Sequence, residues 1–279
     1  MSIITADHLS STELLEIWNR GFAGYYVDNT LDEERLARHL RWSAVDLSRS
    51  AVLLVDEKPA AFSLAAIERR GGGLAAWIAG FGVAPEHRRQ GLAGQLMHGH
   101  CRILDDGGIL ETLLEVIDIN PARRVYSAAG FRETRTLHSY QGLPQAPADA
   151  PAFEWLELSA LEEVHATLHE SAPPVWRREL PVLLRIVDDQ PTAKLLALPA
   201  DLGYSAYALA TAGAERVTLL DAASLDLQSG RRLLEALAVA FDARPLRIID
   251  EPGQSPLAEA LASAGLQNFL TQIEMVRVR

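Results

Sequence analysis

Gly82-Val83-Ala84-Pro85-Glu86-His87-Arg88-Arg89-Gln90-Gly91-Leu92-Ala93-Gly94-Gln95-Leu96 is the stretch on which the fold of this chain turns. An apolar run from Leu74 to Val83 leads into it and has the length and composition of a buried strand, which Pro85 stops by removing a ladder donor. Gly91, Ala93 and Gly94 carry little or no side chain, so the backbone N–H groups opening the next helix stand uncovered. Uncovered amides at the positive end of a helix dipole make an anion site suited to phosphate. Arg88 and Arg89 add charge for oxygens the amides cannot reach, with Gln90, Leu92 and Gln95 completing the turn. Taken alone, Arg-x-x-Gly-x-Ala also suits an ordinary strand-to-helix turn.

The residues beyond Leu96 narrow the choice. Ile109 to Ile119 is a second apolar strand, ended by Asn120-Pro121. A short helix, Ala122 to Ala129, comes next and is closed by Gly130-Phe131. With both motifs in this order, the chain resembles the Gcn5-related N-acetyltransferases (GNAT). Their pattern is Arg/Gln-x-x-Gly-x-Gly/Ala after one central strand, then Asn-x-x-Ala-x-x-(apolar)-Tyr-x-x-x-Gly-Phe. Here the second half reads Asn120-Pro-Ala-Arg-Arg-Val-Tyr126-Ser-Ala-Ala-Gly130-Phe131, with Ala122 one place early. The resemblance spans residues 3–142, half of the chain.

The resemblance implies that two parallel strands splay apart and hold the pantetheine arm of acetyl-coenzyme A between them. Phe81, Gly82 and Val83 would then border the arm. The diphosphate would rest on the turn from Arg88 to Gln95, and Asn120 would bond the arm or fix its strand end. Tyr126 matches the tyrosine that protonates the departing sulfur. Glu115, in Leu113-Leu114-Glu115-Val116, resembles the basic glutamate of ribosomal-protein N-terminal acetyltransferases. A glutamate in an apolar strand is costly to bury without a partner, so it is either functional or edge-facing. Phe22, Tyr25 and Tyr26 lie in the loop that borders the acceptor pocket in that family, where they either pack on the sheet or touch substrate. His100 shares a helical stripe with Leu92, Leu96 and Ile103 and reads as core.

Composition sets the remaining bounds. In 279 residues, 48% hydrophobic and 23% charged content suits one large or two ordinary globular domains. No apolar run reaches the roughly 18 residues that span a bilayer. The opening Met-Ser-Ile-Ile-Thr-Ala-Asp lacks a basic segment followed by an apolar one, so no secretory signal is expected there. A single cysteine, Cys101, excludes an internal disulfide framework and a cysteine-based metal site, and no metal site is expected. These features point to a cytoplasmic protein without membrane attachment. The net charge of −11 and the lack of a basic run argue against nucleic-acid binding.

Along the chain, Ser10-Ser11-Thr12-Glu13 and Thr30-Leu31-Asp32-Glu33 are capping-box patterns ahead of two helices. Ala51–Val55 and Ala60–Ile67 read as strands joined by a turn at Asp56-Glu57-Lys58-Pro59. Gln141 to Ala152 holds three prolines without periodicity and reads as a linker. The second half echoes the first weakly. It offers a capping box at Ser159–Glu162, a strand at Leu183–Val187, a turn at Asp188–Pro191 and a strand at Ala193–Leu198. A central strand at Arg216–Leu220, a helix at Arg231–Phe241, a strand at Leu246–Ile249 and a helix at Leu257–Ala264 come after these. The phosphate cradle is replaced by Asp221 to Gly230, whose aspartates repel phosphate, and Leu261 stands where the first copy has Tyr126.

The expected architecture is therefore α/β (a mixed α+β sheet) in two acetyltransferase-like domains, each a central mixed sheet flanked by helices with a splayed pair of parallel strands. The boundaries are 1–142 for a catalytic domain, 143–152 for a linker and 153–279 for a degenerate domain. The expected activity is acetyl-CoA-dependent transfer to an amine of a small molecule or peptide by a monomer or homodimer. A non-catalytic acyl-CoA sensor is the competing class. A nucleotide-binding P-loop is excluded by the missing Gly-Lys-Ser/Thr.

Overall fold

Ser10 and Glu13 form the capping box that their spacing predicts. The Ser10 hydroxyl accepts from the Glu13 amide, and the Glu13 carboxylate accepts from the Ser10 amide at 2.8 Å. In this computed structural model, which describes residues 1–149, 151–170 and 172–279, that box opens the first helix of a two-unit chain. The first unit comprises Met1–Thr134 and Ile273–Arg279, and the second Arg135–Gln272. The break falls eight residues before the expected 142, and Ala150 of the expected linker lies outside the described residues.

In the first unit, β1 (Ser2–Thr5) is followed by α1 (Ser11–Gly21) and α2 (Glu33–Ser43). Asp32 caps α2 in place of the expected Thr30, accepting from the Arg35 amide at 2.8 Å; a carboxylate there also suits the helix dipole. β2 (Ala51–Val55) and β3 (Lys58–Arg70) form a hairpin. Asp56 and Glu57, at φ 48° and 63°, supply the left-handed two-residue turn that matches strand twist, which leaves Pro59 in β3 at a register shift. β4 (Gly73–Val83), α3 (Leu92–Asp106), β5 (Ile109–Ile117), α4 (Arg123–Ala128) and β6 (Arg132–Gly142) complete the run. Gly130, at φ 95°, ends α4 in the left-handed cap glycine favours, and the Phe131 amide reaches back to Tyr126 O.

The order of this sheet is β1-β2-β3-β4-β5, and beyond β5 lies the segment Ile273–Val278 from the end of the chain. Met275 is fully buried there among Leu114, Val116, Tyr126 and Phe131. Arg277 forks onto Asp105 with two bonds of 2.7 Å, and the Arg279 amide donates to Leu110 O.

The second unit begins within β6 and continues through β7 (Glu154–Leu156), α5 (Leu161–Leu168), α6 (Leu180–Asp189), β8 (Lys194–Pro199) and β9 (Tyr204–Ala212). β10 (Val217–Ser224), α7 (Leu227–Ala240), β11 (Leu246–Pro252), α8 (Pro256–Ser263) and the part of β12 (Gln267–Val278) up to Gln272 complete it. Its sheet runs β6-β11-β10-β9-β8-β7. Leu233, Leu237, Leu257 and Leu261 from the helices pack on Ala208, Leu219 and Ile248.

Two expectations for this half are corrected. Leu183–Val187 is not a strand but the middle of α6: Pro181 sits in the first turn, and Val182, Leu183 and Ile186 bury one helical face. Five residues, four apolar around Arg185, do not distinguish the two periods. Ser159 does not cap α5, because it lies in a short 3-10 turn and Ala160 holds the capping position without a side-chain bond.

Candidate active site

β4 and β5 pair in parallel only from Leu74/Ile109 to Trp77/Leu113. Beyond that register β4 runs on to Val83 and β5 to Ile117, so the strands separate. A bulge at Ala79, set by the jump from Ala65/Ile78 to Leu64/Gly80 on the β3 side, bends β4 at that point. His39 of α2 bonds the Ala79 carbonyl at 3.0 Å.

The separating ends carry chemistry on both faces. Leu114 and Val116 point into the cluster formed with Met97, Cys101 and Leu104 of α3, and Tyr126 belongs to the same cluster. Alternation then puts Leu113 and Glu115 on the opposite face. Trp77 shares that face: it opposes Ala66, two pleats from Phe62, which packs on Trp18 of α1 at 5.4 Å. The Trp77 indole donates to Glu115 Oε2 at 2.6 Å. Tyr126 and Glu115 thus flank the strand gap from opposite sides.

Tyr126 is 6% exposed, with its ring edge-on to Phe81 (5.6 Å) and near Phe131 (6.2 Å). Burial, and then the neighbouring Tyr25, push its phenol well above the ordinary value of 10, so the hydroxyl keeps its proton.

At the end of β4 the chain turns into α3 with its backbone open. Gly91 caps the helix at φ 80°, with no side-chain bond to the helix start. A Cβ built at Gly91 or Gly94 meets nothing within 4 Å. Arg88, Arg89, Gln90 and Gly91 are exposed, and Arg89 takes φ 59°. The amides of Leu92, Ala93 and Gly94 form the first turn, where helices lack internal partners. These residues fit a diphosphate.

Several expected contacts have other duties. Arg88 departs from its assigned part, because its guanidinium bonds Val83 O (2.9 Å), Gly21 O (3.1 Å) and Ala23 O (2.8 Å) and so ties the α1 end to the β4 end. Gln90 Nε2 donates to Glu86 O at 2.9 Å, and the Gln95 amide is already bonded to Gly91 O. Leu92 is buried, leaving only its amide for a ligand. At Gly82 a side chain would strike Phe62 and the Gly21 backbone, so this glycine lets α1 close on β4. Asn120 accepts from the Ala122 amide at 2.9 Å and donates to the Tyr25 hydroxyl at 3.3 Å, so both ends of its side chain are engaged. Phe22 stacks between Trp18 (4.8 Å) and Tyr25 (5.4 Å) and touches Phe62, whereas Tyr26 is 50% exposed. His100 is core: it bonds Ser63 Oγ (2.6 Å) and Arg49 O, and burial draws its pKa down to about 4.

The acetyltransferase (GNAT) family model matches residues 12–131, the segment that holds the gap, the open turn and Tyr126. Over those residues the chain is similar to a GNAT domain. No curated protein matches the sequence. Among solved structures, the GCN5-related N-acetyltransferase from Anabaena variabilis superposes with a TM-score of 0.67 at 15% identity, covering 99% of this chain and 72% of that one. The one from Sphaerobacter thermophilus gives 0.67 at 13% identity, covering 99% and 95%. A tandem GNAT protein from the clavulanic acid biosynthesis pathway gives 0.65 at 12%, covering 99% and 98%. At such identities the likeness is one of fold, and it extends over both units.

The second unit also has a gap between parallel strands, and fills it from within. β10 and β11 pair in parallel only from Val217/Leu246 to Leu219/Ile248. Past that point Arg178, 2% exposed, bonds Asp221 Oδ1 and Ala222 O on β10, each at 2.7 Å, and Glu251 on β11. Asp221 Oδ2 also accepts from Tyr207 and from His169 Nε2 (3.0 Å), and Ser255 donates to Glu251. The helix after β10 is closed as well, because Asp226 caps α7 by accepting from the Ser229 amide at 2.7 Å. His165, His169 and Asp221 bring three potential ligand atoms within 4.8 Å, a grouping that the sequence alone did not suggest. A His-x-x-x-His spacing at the end of α5 was the available signal. Among the described residues, no helix is long and apolar enough to cross a membrane.

Proposed function

We propose that the chain is an acetyl-CoA-dependent N-acetyltransferase acting on a primary amine of a small molecule or peptide, by direct attack in a ternary complex within the first unit. The observation that carries this reading is the strand gap between β4 and β5, flanked by Tyr126 and Glu115 and adjoining an uncapped helix start. Acetyl-CoA, when bound, supplies the acetyl group as a thioester.

The amides of Gly91 to Gly94 and the exposed Arg89 hold the diphosphate, with the helix dipole favouring its charge. Phe81 and Val83, at the unpaired end of β4, border the gap on one side. Glu115 takes the proton that the attacking amine sheds, and the Trp77 indole holds its carboxylate in place. Tyr126, kept protonated by burial, supplies a proton to the leaving thiolate from the other face. The protons therefore travel on opposite sides of the sheet. Tyr25 and Tyr26 form the acceptor side of the gap, with Tyr25 steadied by Asn120.

The test is titration of coenzyme A into the full chain, followed by a thiol-release screen with acetyl-CoA over amino acids, polyamines, aminoglycosides and peptide N-termini. Binding with turnover of an amine supports the enzyme. Binding without turnover of any amine supports a sensor, and absence of binding overturns both readings.

A further inference from the structure

β10 and β11 begin side by side in the second unit, and each brings an arginine to the same place. Val217 pairs with Leu246 and Thr218 with Arg247, so alternation along the strands puts Arg216 and Arg247 on one face. Arg216 closes the β9–β10 hairpin: the Gly213 amide donates to Arg216 O at 2.9 Å, and Arg244 Nη1 donates to Gly213 O at 3.0 Å. The backbone under the first arginine is therefore fixed. The second is held by its side chain, because the Arg247 guanidinium lies over the Phe269 ring, 4.6 Å from its centroid. Stacking uses the face of a guanidinium and leaves its in-plane donors free.

Neither guanidinium makes a hydrogen bond or an ion pair among the described residues. They stand close enough that burial and the charge of Arg216 together draw Arg247 below its ordinary value. In a chain of net charge −11, two repelling cations with no acid between them are a local cost that the fold itself does not require. Both arginines line a groove of about 370 Å3, within the size range of sites for small ligands. Gln141, directly opposite Arg247 in the β6–β11 pairing, and Gln267 line it too, and neither side-chain amide has a partner among the described residues. Glu215, exposed on the rim, makes no ion pair with either arginine, so two arginines against one glutamate leave the lining positive. The groove belongs wholly to the second unit, at the opposite strand ends from the Arg178 cluster, and nothing in it depends on acetyl transfer.

We propose that this groove binds a small oxyanion, a carboxylate or phosphate group carried by a compact metabolite, with Arg216 and Arg247 closing on it from two adjacent strands. The ligand's oxygens accept from the edges of both guanidinium groups, and these charge-assisted bonds turn a repulsion into an attraction. Gln141 and Gln267 bond the part of the molecule next to its anionic group. The second unit, whose own strand gap is filled, is then a ligand-binding module in its own right.

The experiment is calorimetric titration of the full chain with inorganic phosphate and with succinate, in chloride at constant ionic strength because salt screens exposed charges. The native protein should bind at least one of them saturably, with a Kd of about 1 mM or tighter, and the tighter probe identifies the group that is read. Arg216→Gln and Arg247→Gln should each weaken that binding about tenfold or more. Arg216→Gln removes a repelling charge and no side-chain bond, so its melting temperature without ligand should be equal or higher. It also keeps the test intact if Arg247→Gln, which loses the Phe269 contact, folds poorly. Binding of neither probe overturns the proposal, and so does a lower ligand-free melting temperature in Arg216→Gln. Binding that persists in both variants would belong to another anion site, such as the open α3 turn, and overturns it as well. Coenzyme A should bind the variants as it binds the native protein, so failure of the groove leaves the acetyl-CoA reading standing.

Discussion

Trp77 on β4 and Glu115 on β5 are joined across the parting strands by a hydrogen bond of 2.6 Å from the indole N–H to Oε2. Under the proposed mechanism this bond aims the base. Glu115→Gln should therefore lower kcat by about 10²–10⁴ while coenzyme A binding stays within about twofold. Trp77→Phe, which keeps the carboxylate but releases it, should give a smaller loss in kcat. Steady-state rates beside calorimetry decide it, and equal rates for Glu115→Gln and the native protein would remove Glu115 from the mechanism.

Tyr126 should behave as an acid that never ionises in the working range. Burial and the neighbouring Tyr25 both raise its phenol above the ordinary value of 10. The pH–rate profile should then show no alkaline limb from this group up to about pH 10. Tyr126→Phe should retain coenzyme A binding and lose about 10²–10⁴ in kcat. Unchanged turnover in that variant would exclude the tyrosine as the acid.

Gly94 separates folding from binding. Its Cβ position is open, and an acidic side chain in the first turn of a helix is favourable, so Gly94→Glu should leave the melting temperature equal or raised. The same carboxylate would repel a diphosphate, and the affinity for coenzyme A should fall at least about tenfold. A variant that unfolds, or one that binds as before, would contradict the open-turn reading.

The buried charges of the second unit set a pH window for its stability. Burial lowers the His169 pKa, but Asp221 more than offsets it, so the folded value lies above the ordinary 6.5. The stability from that shift is complete below about pH 6.5 and is lost as pH rises through the raised value. Asp221 is the reverse case. Burial raises its pKa, yet His169 and Arg178 hold it far below 3.8, so its contribution is present above about pH 4 and lost in acid. Urea melts should show greatest stability between these limits, and His169→Gln should flatten the alkaline side. Arg178→Met, which strands Asp221 and Glu251, should cost about 3–5 kcal/mol.

The parts of the site legible in the sequence are those built from neighbours along the chain. The β4–α3 turn and the α4 end at Gly130 each depend on consecutive residues, so Gly91, Gly94 and Tyr126 could be read directly. Arg88 could not, because its carbonyl partners at Gly21 and Ala23 come from α1 and the loop after it, more than sixty positions away. The same distance problem hid the cluster of His169, Arg178, Asp221 and Glu251, which arrives from four separate elements. β9 escapes notice for a local reason: Tyr204–Ala212 is rich in alanine, a helix former, and becomes a strand because both its neighbours pair with it.

The return of Ile273–Arg279 to the first unit has a consequence for biosynthesis. Tyr126 shares its packing cluster with Met275, so a ribosome must add the 138 residues from Arg135 to Gln272 before that tyrosine acquires its full surroundings. At ordinary elongation rates this takes roughly 7–28 s, during which the early half of the nascent chain waits with one sheet edge uncovered. A truncated translation product therefore lacks a finished first unit, even though every residue of the β4–α3 turn and of α4 is already present.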